Sequence, residues 1–362
     1  MFFRSKKTKV DDSFCKDIEA SCNAFFGIAK SRHIHVSKTT QEHYVIKLGF
    51  VCDSLKMALI EHLCEHYPSL NSFMLSVSYN VPIFAAKKTP VTIVKNIVAV
   101  SSGKGGVGKS ATAVNLALAL KAQGARVGIL DADIYGPSVP LMLGTVNASP
   151  QSPDNKHMIP ISAHGIVSNS IGYLVKNDHA SIWRGPMASK ALTQLTMETN
   201  WPLLDYLIVD MPPGTGDIQL TMAQMLPLTA AIVVTTPQDI ALSDAEKGIA
   251  MFNKLEVPVL GLVENMRYFE CPACHHQTPI FSSKGAHRLS KKYDLPMLAE
   301  VPLDTCIREY ADSGKSLFTE APDHDIAKIY LQAAFLLSKQ MTQQLEVSPL
   351  AQSASIDVTQ LN

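Results

Sequence analysis

The hydrophobic pattern of the chain changes character near residue 91. Beyond it, short apolar runs with little alternation recur at 96–101, 126–131, 206–210, 231–236, 258–263 and 297–300. Runs apolar at successive positions predict strands covered on both faces, the mark of a parallel sheet. Helices are predicted between them at 110–122, 187–199, 217–226, 239–254, 284–293 and 306–313. A last helix over 324–341 carries Ile326, Ile329, Tyr330, Ala333, Phe335 and Leu336 at spacings that suit a well-buried face. Before residue 91 the order is helix 13–29, strand 43–51, helix 54–66 and strand 72–79, which predicts a small α/β unit. The expected organisation is a flexible N-terminus over 1–12, the small α/β domain over 13–80, a linker over 81–95, a large domain over 96–342 and a disordered tail over 343–362. Residues 144–165, rich in Pro, Ser and Asn, read as a long loop.

Composition narrows the setting. The 362 residues carry 32 basic and 32 acidic side chains, so no net field points to nucleic acid or a membrane surface. The expected location is cytoplasmic, because no stretch reads as a signal peptide or a spanning helix. Seven cysteines at scattered spacing do not form a secreted disulfide framework.

The first chemistry-bearing motif is Ser101–Ser110, SSGKGGVGKS, between a predicted strand and a predicted helix. Gly103, four residues, then Gly108-Lys109-Ser110 is the phosphate-loop pattern, in which small residues let backbone N–H groups face the phosphates. Lys109 is placed to reach the β/γ-phosphates and Ser110 to coordinate Mg²⁺. The nucleotide-contacting set is Gly103, Lys104, Gly105, Gly106, Val107, Gly108, Lys109, Ser110 and Ala111. The large domain is therefore expected to have a P-loop NTPase fold. Lys104 adds a second cation inside the loop. It is either a solvated lysine or a charge for a phosphate site, its own or one on a facing subunit; the last option predicts a nucleotide-dependent homodimer. Strand ends supply the carboxylates. Asp131 is expected to support Mg²⁺ and the loop, Asp133 to sit on the attacking water or the Mg²⁺ shell, and Asp210 to partner Mg²⁺. Met211–Asp217, MPPGTGD, reads as a stiff turn with two hinges, suited to sensing the γ-phosphate. Asn265 and Asp304 fall at later strand ends, where a base can be read.

Cys271-Pro272-Ala273-Cys274 is followed directly by His275 and His276. Two thiolates at this spacing hold one edge of a metal site or form a redox pair. His275 and His276 would complete a zinc site within one subunit, whereas a symmetric dimer offers four cysteines for zinc or an iron–sulfur cluster.

Together these segments resemble the Mrp/ApbC family of ATPases, a branch of the deviant phosphate-loop class. The resemblance covers about Asn96 to Phe318: the loop with its extra lysine, DADIYGPS at 131–138, DMPPGTGD at 210–217, ENM at 264–266, the cysteine pair, and VPLD at 301–304 with Arg308. It implies an ATPase that uses ATP and Mg²⁺ and carries a labile [4Fe–4S] cluster to apoproteins. Lys104 would complete a site across a homodimer, with Lys109, Asp133 and Asp210 as the catalytic set. Asn265 would contact adenine, with Pro302 and Asp304 beside it, and Cys271 and Cys274 would bridge the cluster with their dimer mates. The rival readings are a partitioning or positioning ATPase and a zinc-stabilised, nucleotide-dependent interaction module.

Overall fold

The structure is a computed structural model and describes residues 4–29, 31–39, 43–86, 93–174, 185–282 and 285–348. The first part holds α1 (Arg4–Phe25), β1 (Ile34–Lys38), β2 (Tyr44–Leu48), α2 (Lys56–His66) and β3 (Leu75–Tyr79). They form a three-stranded sheet in the order β1-β2-β3, antiparallel then parallel. The helix expected over 13–29 begins at Arg4, through the stretch expected to be loose, and ends at Phe25. β1 was not expected. Its sequence, IHVSK, is buried only at alternate positions and has too few apolar residues to stand out.

The second part runs β4 (Ile97–Ser101), α3 (Lys109–Ala122), β5 (Val127–Asp131), α4 (Val139–Met142), β6 (Ile161–Ala163), β7 (Ile166–Ser170), α5 (Gly185–Met197), β8 (Tyr206–Asp210), α6 (Asp217–Met225), β9 (Ala230–Thr235), α7 (Asp239–Lys254) and β10 (Val259–Glu264). It continues with β11 (Phe269–Glu270), β12 (Gln277–Thr278), α8 (His287–Tyr293), β13 (Met297–Glu300), α9 (Thr305–Ser313), α10 (Leu317–Glu320) and α11 (Asp325–Gln344). Eight strands pair in the order β13-β10-β9-β4-β8-β5-β7-β6. All neighbours are parallel except the edge pair β6–β7. Every residue of β4, β5, β8, β9 and β10 is buried, because separate apolar layers cover the two faces. The fold is thus a mostly parallel P-loop NTPase-like sheet between helices, preceded by a small α/β unit.

Helix α11 ties the two parts together. Phe335 packs with Phe26 and Phe50 of the small unit, while Tyr330, Ala333 and Leu337 enter the core over the large sheet. Ser338 Oγ accepts from Val51 N at 3.0 Å and lies 2.9 Å from the Tyr206 hydroxyl. Phe84, in the stretch expected as linker, is buried and bridges to Val347, at the start of the expected tail. Residues 87–92 and 349–362 lie outside the described residues.

Candidate functional site

The central strand β4 ends in the glycine-rich loop, and the loop ends in α3. The turn into α3 needs glycine at Gly106 and Gly108, whose φ angles of 84° and 83° lie in the left-handed region. Gly103 is required for a different reason: a Cβ there would lie 2.1 Å from the backbone carbonyl of Asp244. Asn265, just past β10, donates its side-chain amide to Val107 O at 2.9 Å, and a Cβ on Gly108 would lie 2.1 Å from the same amide nitrogen. Asn265 therefore braces the phosphate loop from below. The loop encloses a cavity of about 240 Å³ lined by Lys104, Lys109, Ser110, Asp133, Ser138 and Pro213, among others. Gly105, Gly106, Gly108 and Ala111 also line it. Asn265, Pro302 and Asp304 do not.

Strand register brings the carboxylates together. Asp131 stands directly across from Asp210, and Ser170 across from Asp131, at the carboxyl ends of β7, β5 and β8. Like charges opposite one another oppose folding unless compensated. Lys109 provides the compensation: its Nζ lies 2.5 Å from Asp210 Oδ1, 3.7 Å from Asp133 Oδ2 and 3.2 Å from Ser110 Oγ. Asp131 is fully buried and faces inward. It accepts from Asp133 N, Val139 N and Ser170 Oγ, so it fixes the turn that presents Asp133 to the cavity. Burial and then Asp210 push the Asp131 carboxyl up from 3.8 to about 7. Burial also raises Asp210 and Asp133, against the pull of Lys109. Asp210 Oδ2 is buried without a hydrogen-bond partner, an acceptor suited to a cation or a bound water.

The segment after β8 is tied to the loop. Gly214 N donates to Ser102 O at 2.9 Å with Gly214 at φ 104°, and Gln219 at the start of α6 donates to Ser101 Oγ. Lys104 is exposed, and its carbonyl accepts from Ser102 Oγ at 2.9 Å.

The cysteine pair occupies the exposed tip of the β11–β12 hairpin. Cys271 N donates to His276 O, and His275 N to Cys271 O, which closes the tip. The backbone N–H groups of Ala273 and Cys274, then the Cys274 side chain, lower the Cys271 thiol below its usual value. Donors aimed at sulfur favour the thiolate, the form that binds metals. Among the described residues no third His, Cys, Asp or Glu donor joins Cys271 and Cys274; the only such group is Asp304, Cys306 and His324. In that group Asp304 caps α9 by accepting from Cys306 N, and His324 caps α11 by accepting from Ile326 N. His275 is already engaged by Glu270 at 3.0 Å.

Sequence reasoning missed the base of this hairpin. Arg267 Nε lies 3.0 Å from buried Glu264 Oε2 and 3.3 Å from Glu300 Oε1, which fastens the hairpin to the ends of β10 and β13. Glu264 also accepts from Ala286 N, and any side chain at Gly285 would collide with it. A glutamate closing an apolar strand was the available signal. Ser170 was missed because β7, IVSNS, is polar yet buried.

A phosphate loop on the central strand of a parallel sheet, with a lysine shared by strand-end aspartates, defines the P-loop NTPase class. Comparison with known proteins carries this further. A family described as NUBPL iron-transfer P-loop NTPase matches residues 93–337. The iron-sulfur cluster carrier protein of Escherichia coli K12 is 58% identical over 275 residues, 75% of this chain and 74% of that protein. The mouse iron-sulfur cluster transfer protein NUBPL is 47% identical over 265 residues, 73% and 82% of the two chains. A nucleotide-binding protein from Archaeoglobus fulgidus, solved in complex with ADP, superposes with a TM-score of 0.58 at 35% identity, covering 66% of this chain and 93% of that one. The chain belongs to the Mrp/ApbC–NUBPL family of iron-sulfur cluster carrier P-loop ATPases. Among the described residues no helix is long and apolar enough to cross a membrane.

Proposed function

We propose that this protein is a cytoplasmic, ATP-hydrolysing carrier that holds a labile [4Fe–4S] cluster between two copies of itself and delivers it to apoproteins. The observation that carries this reading is the hairpin tip. It presents half-buried Cys271, whose thiol is lowered, and exposed Cys274, with no third donor among the described residues. Four-cysteine ligation then calls for Cys271 and Cys274 from each of two subunits. A cargo held by solvent-reachable thiolates at a hairpin tip is open to exchange with incoming cysteines.

The nucleotide site fits ATP with Mg²⁺ on its own geometry: loop positions Gly103 and Gly108 where a Cβ would collide, and an unpartnered buried oxygen on Asp210. Mg²⁺, when bound, neutralises charge on the phosphate oxygens. Lys109, now clamped by Asp210 and Asp133, turns to the β/γ-phosphates, freeing Asp210 to join Ser110 on the Mg²⁺ side. Asp131 remains buried and holds the 131–139 turn, and Asp133 orients water in the cavity. The Gly214–Ser102 tether passes the state of the loop to the 211–217 segment. Lys104 reaches the phosphates of the facing subunit, and Asn265, Pro302 and Asp304 border the base.

The test is anaerobic transfer from cluster-loaded protein to an apo-[4Fe–4S] enzyme, followed by recovery of that enzyme's activity. Transfer by the wild type that responds to Mg·ATP, and loses that response in Lys109→Ala, supports the reading. Transfer no faster than from free iron and sulfide would defeat it.

A further inference from the structure

The outer face of the small sheet contains a concentration of positive charge that the nucleotide site does not use. His35 on β1 and Lys47 on β2 are direct cross-strand partners and both are exposed. Here the pair forms one wall of a cavity of about 420 Å³ that runs beneath residues 80–83. Arg32, His33, Asn80 and Lys95 line it too, and no carboxylate does. Among the described residues no acidic side chain pairs with Arg32, His35 or Lys47. Lys95 is held at the back of the cavity by Asp205, 2.9 Å away, and by Val81 O.

His33 supplies the second, independent observation. Its side chain is buried, and its Nε2 has no hydrogen-bond partner. A Cβ on Gly49 would lie 2.7 Å from His33 Cβ, so this corner stays open to the backbone only because residue 49 is glycine. Burial, Arg32 and His35 all lower the His33 imidazole, which keeps it neutral and able to donate from one ring nitrogen.

We propose that this cavity is a binding site for a small polyanion bearing phosphate or carboxylate groups, held by Arg32, His35 and Lys47 with Asn80 and His33 as neutral hydrogen-bonding partners. A cavity of this size suits a small molecule. An anion here would gain charge-assisted hydrogen bonds from Arg32 and Lys47, with the exposed His35 ring beside them. Such a site lies where the small unit meets the large sheet: Asn96, which leads into β4, donates to Pro82 O in its wall and accepts from Phe84 N just beyond it.

The experiment is calorimetric titration of the full-length protein with citrate and, separately, inorganic pyrophosphate, at low salt, with Mg·ADP saturating the phosphate loop. One saturable site, weakened at least about ten-fold in His35→Gln/Lys47→Gln and unchanged in the distant pair Lys291→Gln/Lys328→Gln, supports the proposal. Tighter binding of pyrophosphate or of citrate assigns the site to phosphoryl or carboxylate ligands. Both substituted residues in the test pair are exposed, so the variant should keep its fold, which circular dichroism checks. Absence of saturable binding overturns the proposal, as does equal weakening in the control pair. Binding of a polyglutamate peptide without binding of either small anion also overturns it.

Discussion

Neutralising Asp131 should flatten the pH dependence of stability in the nucleotide-free protein. The Asp131 carboxyl is fully buried opposite Asp210 and titrates near 7 in the fold, against 3.8 when exposed. Between those values the native chain holds a proton that the unfolded chain has released. Stability contributed by this group is therefore full below about pH 4 and falls as pH rises through 7. A displacement of roughly three pH units is worth about 4 kcal/mol. Burial raises Asp133 and Asp210 in the same direction, so the slope of the wild type is at least as steep. Asp131→Asn removes the titration, but its amide nitrogen cannot accept; with the amide oxygen kept toward Val139 N and Ser170 Oγ, Asp133 N loses its acceptor, at a cost of about 1–3 kcal/mol. Urea unfolding followed by circular dichroism in EDTA, from about pH 5 to about pH 8, should show the variant less stable at the acid end and equal or more stable at the alkaline end. Parallel profiles for the two proteins would refute the reasoning.

Two loop glycines should respond differently to the same methyl group. Gly103→Ala drives Cβ into the Asp244 backbone and should cost about 3 kcal/mol or more, whereas Gly106→Ala meets nothing within 4 Å and costs only the left-handed backbone term, about 1–2 kcal/mol; paired melting curves check the order. Phe335→Ala empties the aromatic contact between α11 and the small unit, with ring centroids 5.9 Å from Phe26 and 6.1 Å from Phe50, and should destabilise by about 3–5 kcal/mol in chemical denaturation. Asp205→Ala leaves Lys95 and Arg126 without their shared carboxylate. The Asp205 carboxyl is held below its usual value in the fold, so its contribution is present above about pH 4 and fades as pH falls; the gap between wild type and variant in denaturant midpoint should narrow in acid.

The parallel sheet was legible in the sequence because strands buried on both faces leave unbroken apolar runs, as at Ile97–Val100 and Tyr206–Val209. The phosphate loop was legible because its glycines answer to local backbone geometry. β6 and β7 were not, since Ser168, Asn169 and Ser170 are buried by hydrogen bonding: Asn169 donates to Thr199 Oγ1 at 2.7 Å and Ser170 to Asp131. The Ser170–Asp131–Asp210 row depends on strand register, which pairs Asp131 with residues 39 and 79 positions away and leaves no local signal. The strand end points Asn265 to a base, and its bond to Val107 O in the phosphate loop left no local signal. The cationic cavity of the small unit joins residues from 32 to 95 and emerges only when β1, whose strand was not expected, pairs with β2.

The most direct test of the carrier reading is anaerobic iron–sulfur reconstitution of the wild type and the Cys271→Ser/Cys274→Ser variant, with iron, acid-labile sulfide, zinc and oligomeric state measured together. About four iron and four sulfide per dimer, lost in the variant while nucleotide binding persists, is the predicted result. Stoichiometric zinc in the wild type, or a cluster retained after both cysteines are replaced, would contradict it.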